Sequence, residues 1–115
     1  MFEYAKALEF PVKIDRPNAR TAKMIMTQLG GPNGELGASM RYLNQRYAMP
    51  LREAAAALTD IGTEELGHME MIAAMVTQLT KGLTTSQLEA QGFSDYFVDH
   101  TLGIYPVNAS GVPFS

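Results

Sequence analysis

Residues 58–79, LTDIGTEELGHMEMIAAMVTQL, place apolar side chains at Leu58, Ile61, Ile72, Met75 and Leu79. Glu65 and His68 fill the two gaps of the same series, whose steps alternate between three and four. A helix turns about 100° per residue, so positions three and four apart share one face and meet the same neighbour. The pattern therefore predicts a helix with a carboxylate and an imidazole in slots that suit core leucines. An unpaired carboxylate on a core face costs on the order of several kcal/mol, so such a pair requires a cation, a hydrogen-bond network or a metal.

A Glu and a His three apart on an inward helix face form the half-site of bundles that hold two metals between carboxylates, with a plain Glu supplied by a neighbouring helix. The segment just upstream offers one. Asn33-Gly34 opens a helical run over residues 33–48, in which Leu36, Met40, Leu43 and Tyr47 form the apolar stripe and Pro50 marks the end. Glu35 stands at its start, and Tyr42 lies two turns further on. Helical side chains lean toward the N-terminus, so the Tyr42 phenol is expected to approach Glu35.

Pro50 introduces the long helix, expected over residues 51–81 and ended by Gly82. Gly62, Gly67 and the alanines at 54–57 leave little side chain on it, which admits a second helix at close range. Upstream, Asn18 starts a short helix over residues 18–29 carrying Ala22, Ile25, Met26 and Leu29, and Gly30-Gly31-Pro32 stops it. Before it, residues 1–16 read as an extended arm, because Phe2, Tyr4, Leu8 and Phe10 fall on alternate positions ahead of Pro11. Downstream, residues 82–115 read as a short helix followed by coil: Thr84 or Thr85 caps a turn through Ala90, and Gly92 ends it. From Phe93 the aromatic residues lose all period, and the tail is expected to cover a surface belonging to something else. His100 falls within it and is expected to be exposed or bonded locally.

Composition narrows the function classes. The 115 residues suit one domain, and the net charge of −3, with nine scattered Lys and Arg, gives no basic stripe for nucleic acid or an anionic membrane. No cysteine is present, so thiol catalysis and thiolate metal sites are excluded and any metal must be held by oxygen and nitrogen. No run reaches the roughly 18 apolar residues of a spanning helix, and Met1 to Phe10 lacks the pattern of a secretion signal, so a cytoplasmic location is expected. Gly30-Gly31-Pro32-Asn33-Gly34 lacks the Lys and Ser or Thr of a phosphate loop. The eight methionines are assigned to core gaps, and Glu70 to the surface. Glu64 is either solvated or orients His68 from one turn back. A Glu–His hydrogen bond at a helix interface, without chemistry, remains the plain alternative to a metal.

Three segments carry a family resemblance: Leu29-Gly30-Gly31-Pro32-Asn33-Gly34-Glu35, Arg41-Tyr42-Leu43-Asn44-Gln45-Arg46-Tyr47, and the run from Leu58 through Glu65 and His68 to Ile72. They resemble the manganese catalase family, including its shorter relatives found as spore coat proteins, and Asn108-Ala109-Ser110-Gly111-Val112-Pro113-Phe114 resembles the coat branch. The resemblance implies an all-α, ferritin-like four-helix bundle of which this chain supplies about half. It further implies that Glu35, Glu65 and His68 match metal ligands, with Glu35 bridging, and that Tyr42 matches a residue bonded to the ligand at Glu35. The implied reaction is disproportionation of hydrogen peroxide at a dimanganese site. Carboxylate and imidazole also accept iron, so the choice of manganese rests on the resemblance.

Family members add two further helices with another Glu and a second His. The expectation is therefore an N-terminal half completed by a complementary C-terminal half, or a homo-oligomer in which two copies supply four Glu and two His. Two other functions compete: a structural spore coat or assembly protein that keeps the fold, favoured by the aromatic arm and tail, and metal storage in a ferritin-like shell.

Overall fold

The computed structural model describes residues 5–30, 32–93, 110 and 112. Among them it contains helices and no strand: α1 (Ala19–Met26), α2 (Glu35–Gln45), a single 3₁₀ turn (Arg46–Ala48), α3 (Arg52–Thr80) and α4 (Thr85–Ala90). The long helix α3 is the axis on which the others are laid. At 29 residues it runs about 44 Å.

Local chemistry sets the ends. Asn18 caps α1 by accepting from the Thr21 amide at 3.0 Å, and its own amide donates to the Leu79 carbonyl at 2.6 Å, which ties the start of α1 to the end of α3. Thr84 begins α4 in a capping box with Gln87. Gly82 and Gly92 take left-handed φ values of 77° and 76° where α3 and α4 stop, a conformation that a Cβ penalises. The helix α1 ends earlier than the sequence pattern predicts, because residues 27–29 leave it as a turn.

The backbone amide of Glu35 donates to the Gln28 carbonyl at 2.8 Å, so α2 starts against the end of the preceding segment. It then runs antiparallel to α3, with Glu35 near Glu65, Ser39 on Gly62 and Arg46 on Thr59. Gly62 makes the close approach possible: a Cβ there would lie 2.8 Å from Leu43 Cδ2. Ser39, buried at 2% exposure, donates its hydroxyl to the Gly62 carbonyl at 2.7 Å. The pattern of small residues on α3 predicted this kind of approach; Ser39 as its partner was not predicted.

The buried core lies at one end. Ala19, Ala22 and Met26 of α1, Val76 and Leu79 of α3, Leu88 of α4 and Phe93 form a single cluster. The expected stripe on α2 is corrected here: Leu36, Met40 and Tyr47 are 41%, 59% and 78% exposed. Leu43, the remaining member of that stripe, does meet α3 at Gly62, and Ser39, which the stripe did not include, joins it there. Ile61 of the α3 series is also exposed.

Residues 5–18 form neither helix nor strand. The Gln78 side chain holds them to α3, its amide donating to the Val12 carbonyl and accepting from the Ile14 amide, both at 2.8 Å. Leu8 is half-buried, whereas Phe10 is exposed rather than laid on the body. Phe2, Tyr4, His100 and nearly all of the aromatic tail fall outside the described residues.

Candidate metal centre

Glu35 occupies the first position of α2, and Glu65 and His68 sit one turn apart on α3. The antiparallel packing at Gly62 brings them together: a carboxylate oxygen of each Glu and a ring nitrogen of His68 all lie within 4.8 Å of one another. All three are partly buried, with the Glu65 side chain 14% and the His68 side chain 33% accessible. His68 presents Nδ1 to the Glu65 carboxylate at 3.6 Å.

The electrostatics are those of a site short of positive charge. Glu35 is pushed up from 4.5 to about 7, first by its side-chain hydrogen bond with Glu65, then by desolvation and by the negative charge of Glu65; His68 acts in the opposite direction. Two carboxyl groups held this close share a proton rather than both ionise. A divalent cation between them would replace that proton. Oxygen and imidazole donors match the preferences of manganese and of iron, so the residues present fit such an ion.

A second group of possible donors adjoins the first. Glu9 of the arm and Glu64 of α3 cluster with His68, whose Nε2 lies 3.7 Å from Glu9 Oε2. Glu9 was not legible in the sequence, because it stands in an arm with no helical period that is held to α3 by the clamp at Gln78 and by the packing of Ile14 on the core. Tyr42 is half-buried on α2. Glu70 is half-buried rather than fully exposed.

A helical pair closed by a Ser–Gly contact, with two Glu and one His converging between the helices, defines a portion of a ferritin-like, all-α bundle. The chain belongs to the manganese containing catalase family, whose family model matches residues 1–115. It is 49% identical over 115 residues to Protein CotJC of Bacillus subtilis, covering all of this chain and 60% of that protein. It is 36% identical over 117 residues to a probable manganese catalase of Clostridium acetobutylicum, of which it covers 52%. The crystal structure of KatB, a manganese catalase from Anabaena PCC7120, superposes with a TM-score of 0.76 at 26% identity, over all of this chain and 51% of that one. The chain thus spans about half the length of the relatives it matches. Among the described residues, no helix is long and apolar enough to cross a membrane.

Proposed function

We propose that this chain contributes Glu35, Glu65 and His68 to a dimanganese centre that converts two hydrogen peroxide molecules to two of water and one of oxygen. The observation that carries the reading is the convergence of these donors from two helices within 4.8 Å. Further ligands are expected from a complementary C-terminal half or from a second copy of the chain. Membership of the manganese containing catalase family supports both the reaction and the metal.

When bound, the metal pair supplies the two-electron capacity that lets each peroxide be reduced or oxidised without release of a radical. The chain's own groups have separate tasks. Glu35 would reach across from α2 to help hold the ions. Glu65 and His68, one turn apart on α3, hold one side of the site in fixed register. Without a cation, the two carboxyls retain a proton near neutral pH, so the site is poised to exchange it for positive charge.

Elemental analysis of the purified protein, paired with oxygen evolution from peroxide, tests the reading. Manganese retained on the protein and oxygen evolution abolished in Glu65→Ala and His68→Ala are the expected results. Bound iron in place of manganese would reassign the metal, and many metals per chain would indicate storage.

A structural or assembly role is the second reading, supported by the exposed apolar side chains Leu36, Met40 and Tyr47 on α2. It predicts assembly that persists unchanged in the same two variants, without oxygen evolution in the parent protein.

A further inference from the structure

The arm that precedes α1 reaches the back of the candidate centre. In an extended chain, the carbonyl of one residue and the amide two residues on point to the same side, so Val12 and Ile14 present an acceptor and a donor together. The primary amide of Gln78 matches both, in the manner of a neighbouring strand, and this double contact fixes the register of the arm along α3. Gln78 lies ten residues beyond His68, about 15 Å along the helix. Glu9 lies three to five residues before the clamped pair, a reach of at most about 10–16 Å, and the chain bends at Glu9 and Phe10. In that register Glu9 Oε2 comes to rest 3.7 Å from His68 Nε2.

The ring of His68 thus stands between two carboxylates, Glu65 on Nδ1 and Glu9 on Nε2. A neutral imidazole carries one proton, and only the nitrogen without it has a lone pair for a cation. Nδ1 faces the side of the ring where Glu65 and Glu35 lie and Nε2 faces the arm, so a proton held on Nε2 opposite Glu9 leaves the lone pair on the side of the candidate centre. Glu64 belongs to the same cluster, but its carboxylate makes no ion-pair contact with either ring nitrogen, unlike that of Glu9.

We propose that Glu9 is a positioning residue for His68: its carboxylate draws the ring proton to Nε2 and so turns the Nδ1 lone pair toward Glu35 and Glu65. The separation of 3.7 Å is longer than a hydrogen bond, and a small rotation of the Glu9 side chain closes it. An outer carboxylate of this kind orients a ligating imidazole and raises its basicity. The role in metal binding rests on the function proposed above; the choice of tautomer does not.

Nitrogen-15 NMR of the metal-free protein, at a pH that leaves the ring neutral, reads the tautomer directly. The parent protein is expected to carry the proton on Nε2, and Glu9→Ala to shift it toward Nδ1, where Glu65 is the remaining acceptor. Glu9→Gln keeps an acceptor oxygen without the charge and is expected to fall between them. In parallel, Glu9→Ala should weaken manganese(II) binding about 10- to 100-fold. A proton on Nδ1 in the parent protein, no change in Glu9→Ala, or the same shift in Glu64→Ala would overturn the proposal. Failure of the parent protein to bind manganese would count against the function proposed above, and the tautomer comparison would still decide the role of Glu9.

Discussion

The carboxyl groups of Glu35 on α2 and Glu65 on α3 hydrogen-bond to each other, and this contact is the first cause of the rise of Glu35 to about 7. Separate helices carry the two groups, so the proton they share reports the distance between those helices. That makes the pair a probe of the site before any metal is added.

The sign of the pH effect follows. Between about pH 4.5 and about pH 7 the folded, metal-free chain keeps a proton on Glu35 that the unfolded chain releases, so folding stability falls as pH rises through this window. Urea midpoints at pH 5 and pH 8 should show the higher value at pH 5. Glu65→Gln, which removes the neighbouring charge and supplies a donor, should flatten the slope.

Metal binding should have the opposite dependence. A divalent cation must displace the shared proton, so manganese(II) affinity should increase with pH up to about 7 and level off above it. Competition with a chelator of known pH behaviour measures this. A flat profile across the same range would separate metal binding from Glu35.

At Gly62 there is no room for a larger residue. A Cβ would stand 2.8 Å from both Leu43 Cγ and Cδ2 and 3.3 Å from the Leu43 backbone nitrogen, so α2 would have to move outward. Gly62→Val should cost about 1–3 kcal/mol by denaturant titration. It should also return Glu35 toward the ordinary carboxylate range as Glu35 and Glu65 separate.

One side chain sets the register of the arm at Val12 and Ile14. Gln78→Ala removes both hydrogen bonds to Val12 and Ile14, each worth about 0.5–1.5 kcal/mol. Amide exchange at Ile14 should accelerate while exchange in α2 stays unchanged.

Thr84 offers a control far from the site. Its hydroxyl accepts from the Gln87 amide at 3.2 Å, and Thr84→Ala should cost about 1 kcal/mol through fraying of α4. The titration of Glu35 should not move.

The sequence by itself determined the helices and marked the three candidate donors. Asn18, Pro50, Gly82, Thr84 and Gly92 mark ends through their own backbone and side-chain preferences, which act over a few residues and survive in any context. The Glu65–His68 spacing works in the same way, since one helical turn fixes their relation without help from the rest of the chain. The placement of Leu36, Met40 and Tyr47 outside was not legible, because the apolar period of α2 is equally consistent with a neighbouring face turned toward α3. Only the fit of Ser39 and Leu43 against Gly62 selected that face. Glu9 is the extreme case: nothing near it in the sequence marks it, and its approach to His68 exists because Gln78, some seventy residues away along the chain, binds the arm in one register. Local preferences fix elements, whereas the contacts that bring Glu35, Glu65, His68 and Glu9 to one place are made between segments that only folding brings into reach.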